Sequence, residues 1–203
     1  MSSPSMNNRG RVLVVDDEAS NRELLRTVLE AQNYNVTEAV SGEQALQQIT
    51  EFPPDVILLD VMMPGLNGYD VCRRIKETPA TAPIPVLIVT ALSDRDEKLR
   101  GIEAGANDFL IKPIDARDVI LRVRNAMNAK HLFDQLHDSY ERLKQLETLR
   151  DNLTHMIIHD MRSPLTGISG YLQLLKMDLD KHENEQLMGY IHNALSSTTE
   201  LIE

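Results

Sequence analysis

The chain has 203 residues, 42% of them hydrophobic, and carries 31 acidic against 21 basic side chains for a net charge of −10. That length allows one or two domains with cores of their own, while the acidic balance argues against a nucleic-acid-binding chain, whose affinity rests on Lys and Arg against phosphates. No apolar stretch approaches the ~20 residues that a membrane-spanning helix needs, the polar start Met1 to Asn8 is unlike a signal peptide, and the single cysteine, Cys72, excludes an intramolecular disulfide. These features predict a cytoplasmic protein with no membrane insertion and no nucleic-acid partner, in which Cys72, within Val71-Cys72-Arg73-Arg74-Ile75, is a packed helix residue.

In chain order, four apolar runs each stop at a functional side chain. Val12–Val15 is followed by Asp16-Asp17, Val56–Leu59 by Asp60, Val86–Val89 by Thr90, and Phe109–Ile111 by Lys112-Pro113. Short β-branched runs bounded by polar residues predict buried strands of a parallel sheet with helices between them. In an open α/β sheet the ligand site lies outside the carboxyl ends of the strands. Three carboxylates, a hydroxyl and an ammonium are therefore expected to converge on one spot.

That set suits a divalent cation and a phosphoryl group. A carboxylate can accept a phosphoryl group as an aspartyl-phosphate, but it is a weak nucleophile facing an anionic donor. A hard cation held by Asp16, Asp17 and Asp60 would offset the repulsion, and Mg²⁺ tolerates a few carboxylates plus several waters. Lys112 adds positive charge where the transferred group carries negative charge, and Thr90 donates a hydrogen bond. Acidic residues that merely end strands or cap helices have no need of a Lys and a Thr on neighbouring strands.

The motifs VLVVDDE, LLDVMMPGLNGYD, PVLIVTAL and DFLIKPI, in this order, make Arg11 to Asn128 resemble the receiver domain of a two-component response regulator. The resemblance implies a flavodoxin-like, doubly wound α/β fold with a five-stranded parallel sheet in the order 2-1-3-4-5. It further implies phosphorylation of Asp60, Mg²⁺ or Mn²⁺ held by Asp16, Asp17 and Asp60, phosphoryl oxygens gripped by Thr90 and Lys112, and an aromatic switch at Phe109. It also implies a cis Lys112–Pro113 peptide.

Between Pro113 and Pro164 the sequence has no Gly and no Pro and is rich in Leu, Arg, Glu, Gln and Lys, so helix is expected throughout. The last receiver helix, starting near Asp115 and containing Val119, Val123 and Met127, should run on without a breaker. Leu132, Leu136, Leu143, Leu146, Leu153 and Ile157 then recur at spacings of four, seven, three, seven and four. That is a coiled-coil seam for pairing with a second chain, weakened where Ser139 and Arg150 interrupt it.

The seam leads into His159-Asp160-Met161-Arg162-Ser163-Pro164-Leu165, which resembles the phosphoacceptor box of the histidine kinase dimerisation domain over about Thr148 to Glu203. By that resemblance His159 is the phosphorylated histidine, Asp160 the adjacent acid that activates it, and Pro164 a helix-bending residue. A neutral imidazole is a competent nucleophile near neutral pH, and a neighbouring carboxylate can hold its tautomer. Pro164 lacks the backbone donor and crowds the Asp160 carbonyl, so the helix should open there. His155 and His159 are four apart, but no third ligand is in view, which argues against a metal pair. Family members that also remove phosphate carry Thr or Asn at the position of Ser163; serine can still orient a water, with a less fixed rotamer. A break near Asp180–Asn184 and a second amphipathic helix through Leu187, Ile191, Leu195 and Leu201-Ile202 predict a hairpin, two of which make a four-helix bundle.

The expected organisation is a disordered start over 1–10, a receiver over 11–128, a coiled-coil signalling helix over 129–150 and a phosphoacceptor domain over 151–203. No P-loop or dinucleotide-binding glycine motif occurs, so ATP is expected to act only through a catalytic domain outside this chain. The second helix stops in mid-pattern at Glu203, which suggests a part of a longer histidine protein kinase. Expected partners are a second copy, that ATP-binding domain, and other receiver or phosphotransfer proteins. Three functions fit: a receiver regulating or exchanging phosphate with His159 of a cytoplasmic histidine kinase, an ATP-independent relay protein, and a non-enzymatic dimerisation module switched by receiver phosphorylation.

Overall fold

Apolar runs with no polar face become the central strands of the sheet. In a computed structural model that describes residues 9–91, 95–179 and 185–202, the strands are β1 (Arg11–Val15), β2 (Asn35–Ala39), β3 (Val56–Asp60), β4 (Val86–Thr90) and β5 (Asp108–Ile111). Every residue of β3 and β4 is buried, as a parallel strand covered on both faces requires. All pairings are parallel, in the order β2-β1-β3-β4-β5. The chain divides into two units, Met1–His137 and Asp138–Glu203.

Within the first unit, α1 (Ala19–Glu30), α2 (Gly42–Glu51), α3 (Gly68–Glu77), α4 (Arg95–Glu103) and the first part of α5 (Ala116–Leu179) connect and flank the strands. Alternate strand residues feed two apolar layers, as the two-residue period demands. Leu13, Val15, Ile57 and Leu59 pack with Ala45 and Ile49 of α2 and Val71, Cys72 and Ile75 of α3. Val12, Val14, Leu58, Leu87 and Val89 pack with Leu25 and Leu29 of α1 and Val119, Val123 and Met127 of α5. Burial pushes the Cys72 thiol up to about 11, and its Sγ donates to the Ala104 carbonyl at 3.3 Å, so it packs as expected.

Side chains cap helix starts. Ser41 accepts from the Gln44 amide and Asn67 from the Asp70 amide, each satisfying a donor at a helix start. Asp115 Oδ1 accepts from the Arg117 amide at 2.7 Å where α5 begins. The Lys112–Pro113 peptide is cis. Residues 1–8 of the start expected to be disordered lie outside the described residues, whereas the Arg9 amide already donates to the Asn33 carbonyl.

The second unit is helical, built from the later part of α5 and from α6 (Glu185–Ile202). α5 runs without interruption through Pro164. The expected opening at that residue is therefore not a break: one absent N–H donor is accommodated inside a long helix. Ile191 and Thr198, seven apart and so on one face of α6, are buried. The seam residues from Leu132 to Ile157 are each between 46% and 70% exposed. The expected break at Asp180–Asn184 and the side chains of Leu187, Leu201 and Ile202 lie outside the described residues.

Gly68 opens α3 directly against the end of β3. A Cβ there would lie 2.2 Å from the Asp60 carbonyl oxygen and 2.9 Å from the Val61 Cα, backbone atoms that cannot swing aside. Gly68→Ala is expected to destabilise the first unit by about 1–3 kcal/mol, the usual cost of overpacking, measured as a lower urea midpoint with an unchanged slope.

Candidate functional site

The strand order reverses between β1 and β3, and the loops after these two strands diverge there, leaving the crevice that such sheets use for ligands. β1 delivers Asp16 and Asp17, β3 ends in Asp60, β4 ends in Thr90, and the residue after β5 is Lys112. Asp16, Asp60 and Thr90 are buried and Asp17 is exposed. Oxygen atoms of the three carboxylates lie within 4.8 Å of one another.

Lys112 is the cation of this pocket. Its Nζ stands 2.8 Å from Asp60 Oδ1 and 3.1 Å from Asp16 Oδ2. Asp60 Oδ2 accepts from the Met62 amide at 3.0 Å. Asp16 also accepts from the Glu18 amide at 2.8 Å and from the Asn21 side-chain amide at 3.0 and 3.2 Å. Burial pushes the Asp60 carboxyl above the ordinary carboxylate range; Lys112 and the Met62 amide pull it down, and the charge of Asp16 pushes it further up. Burial works against the Lys112 ammonium, but its bonds and attraction to Asp60 and Asp16 outweigh that and raise its pKa.

The Thr90 hydroxyl lies 3.4 Å from Glu97 Oε2 on α4, and the Glu97 carbonyl accepts from the Tyr69 hydroxyl at 3.2 Å. Phe109, three residues before Lys112 on β5, is half-buried with its ring across Gly101: a Cβ on that glycine would meet the ring at 2.4 Å. The pocket thus brings together Asp16, Asp17, Asp60, Thr90 and Lys112, with Phe109 beside it on β5. Sequence reasoning missed Asn21 and Glu97, which carry no motif of their own, and Gly68 and Gly101, whose meaning depends on which atoms approach them in space.

The donor set fits a hard divalent cation, since all three groups are carboxylate oxygens and two stand on adjacent residues of one turn. In the second unit, on α5, His159 Nδ1 stands 3.3 Å from Asp160 Oδ1, with both side chains largely exposed. Ser163, four residues after His159 and so on the same face, is exposed as well.

A family model for the response regulator receiver domain matches residues 12–124. The chain belongs to that family. A model for the His Kinase A (phospho-acceptor) domain matches residues 149–203, so a phosphoacceptor-type domain follows the receiver and the chain is a two-component signalling protein. It is 47% identical over 126 residues to the response regulator PleD of Caulobacter vibrioides, which covers 62% of this chain and 28% of PleD. It is 45% identical over 117 residues to the transcriptional regulatory protein ResD of Bacillus subtilis, covering 58% of this chain and 48% of ResD. The chain therefore spans less than half the length of these relatives. The receiver domain of a signal transduction histidine kinase from Syntrophus aciditrophicus superposes with a TM-score of 0.56 at 34% identity, covering 59% of this chain and 90% of that one. No helix of the described residues is long and apolar enough to cross a membrane.

The raised pKa of Asp60 has a consequence for receiver stability. A carboxyl that holds its proton more tightly in the folded than in the unfolded state favours folding at low pH and is a cost once it ionises, so that contribution is lost as pH rises through the folded pKa. Without divalent cations and near neutral pH, Asp60→Asn should unfold at a higher temperature than the wild type, Lys112 keeping Asp16 as a partner. The difference should shrink as pH falls toward the ordinary carboxylate range. Thermal melts in EDTA across that range check the sign.

Proposed function

We propose that the receiver accepts a phosphoryl group on Asp60 and that this state regulates, or exchanges phosphate with, His159 in the second unit. The observation that carries the reading is the single buried-side ammonium of Lys112 set between two buried carboxylates, with the Thr90 hydroxyl at the end of the neighbouring strand. That arrangement places a cation within reach of an anionic group bound at Asp60.

In the step, an Asp60 carboxylate oxygen forms a bond to phosphorus as the donor's bond to phosphorus breaks, and the donor departs with that electron pair. Mg²⁺ or Mn²⁺ held by Asp16, Asp17 and Asp60 supplies positive charge that offsets the repulsion between an acidic pocket and an anionic donor. Lys112 moves its ammonium from the Asp60 carboxylate to a phosphoryl oxygen, and Thr90 donates its hydroxyl to another. Phe109 follows Thr90, because its ring rests on α4, which carries the Glu97 partner of that hydroxyl.

His159 is read as the phosphoacceptor histidine and Asp160 as the acid that holds its tautomer, with Nδ1 facing Asp160 and Nε2 left for chemistry. Ser163 is the candidate for orienting a hydrolytic water. The exposed leucines of α5, from Leu132 through Leu153, and the exposed Met156, Ile157 and Met161 around His159 support a homodimer through the coiled coil and a four-helix bundle. ATP enters through a catalytic domain of a longer histidine kinase or of a partner, and the working compartment is the cytoplasm. Regulation would pass along α5, which belongs to both units without a break.

The test uses the full chain. A small phosphodonor with Mg²⁺ should label Asp60 in the wild type and leave Asp60→Asn unlabelled there, with no labelling in EDTA. A histidine kinase ATP-binding domain added with ATP should label His159, more slowly in Asp160→Asn and not in His159→Gln. Equal labelling of Asp60 in EDTA, or histidine labelling that survives His159→Gln, contradicts the reading.

A further inference from the structure

We propose that Arg22 is a positioning residue for the cation site, acting through the backbone of the acidic turn; the inference rests on the reading of Asp16, Asp17 and Asp60 as cation ligands. Arg22 lies on α1 with only 12% of its side chain exposed, and one of its nitrogens, Nη1, donates to the Asp16 carbonyl at 2.7 Å and to the Asp17 carbonyl at 3.0 Å. Its Nε donates to Glu38 Oε2 on β2 at 3.3 Å, and the other oxygen of Glu38 faces Arg26 at 3.0 Å. A guanidinium is suited to this because its donors form a rigid planar fork whose direction is fixed once one side is paired.

The two aspartates depend on this clamp to different degrees. Asp16 has its carboxylate held independently by the Glu18 amide, Asn21 and Lys112. Asp17 is exposed, and among the described residues no hydrogen bond reaches its carboxylate. Where Asp17 points is therefore set by its backbone, and Arg22 grips the carbonyls of the two peptides that flank the Asp17 Cα. The groups behind metal ligands matter in this way generally, with losses of ~10- to 100-fold in affinity when they are removed.

Charge and position make opposite predictions here. Deleting a cation near three carboxylates should tighten binding of a divalent ion by Coulomb's law alone. Loosening the turn should weaken it. Arg22 shares Glu38 with Arg26 and meets Asp16 and Asp17 at their carbonyls, not their carboxylates, so its direct grip is on the backbone of the turn and the positional effect wins.

Calorimetric titration of the full chain with Mg²⁺ decides the matter. Arg22→Ala should weaken Mg²⁺ affinity about 10-fold, and Arg22→Lys, which offers no fork, by a smaller factor. In an Asp17→Asn background the Arg22→Ala change should cost little more, because the ligand it orients is already lost. Unchanged or tighter binding by Arg22→Ala, or the same fold loss with and without the Asp17 carboxylate, overturns the proposal. If Arg22→Ala does not fold, Arg22→Lys carries the test, and wild-type affinity in that variant overturns it. A wild type that binds no Mg²⁺, or binds it equally after Asp60→Asn, refutes the cation site itself and the inference with it.

Discussion

Everything in the receiver turns on one ammonium shared by two buried carboxylates. Lys112, the residue after β5, bridges Asp16, just after β1, and Asp60, at the end of β3, so it ties the end of β5 to two strands that are not its neighbours in the sheet. Isolated buried carboxylates are costly, and Lys112 offsets that cost only in part, which is why Asp60 is still pushed toward its protonated form. A pocket left with excess negative charge favours a divalent cation. In the proposed phosphorylated state the same lysine would hold phosphoryl oxygens. The resting ion pair and the proposed phosphorylated state are thus two arrangements of one set of charges.

The surrounding structure keeps that set in register. Gly68 lets α3 start against the Asp60 backbone, the Met62 amide holds Asp60 Oδ2, and Glu18 and Asn21 hold Asp16. These contacts come from turns and helix starts rather than from the sheet, so the sheet supplies position and the loops supply direction. Phe109 and Thr90 both touch α4, one through Gly101 and one through Glu97. The hydroxyl and the half-buried ring therefore rest on one helix.

The parts that were legible in the sequence share a physical cause. β1, β3 and β4 are buried on both faces, so burial wrote them as unbroken apolar runs, and each run stopped at a pocket residue. β2 is an edge strand with half of its side chains toward solvent, and Asn35-Val36-Thr37-Glu38-Ala39 carries no such run. Its place follows from family resemblance rather than from pattern. Arg22 and Asn21 look like ordinary solvent-side residues of an amphipathic α1; only the fold brings them under the acidic turn. The long helix was legible because nothing between Pro113 and Pro164 can end one. At Pro164 the helix runs on, since a proline inside a helix that long removes one bond without terminating it.

The most direct measurement is the Mg²⁺ dependence of Asp60 phosphorylation in Lys112→Met against the wild type, resolved into half-saturating Mg²⁺ and maximal rate. If Lys112 is both the counter-charge of Asp16 and Asp60 and the partner of the phosphoryl oxygens, its loss should lower the Mg²⁺ requirement and reduce the maximal rate by at least about 10-fold, as for removal of an electrostatic stabiliser. A maximal rate that matches the wild type would contradict the account.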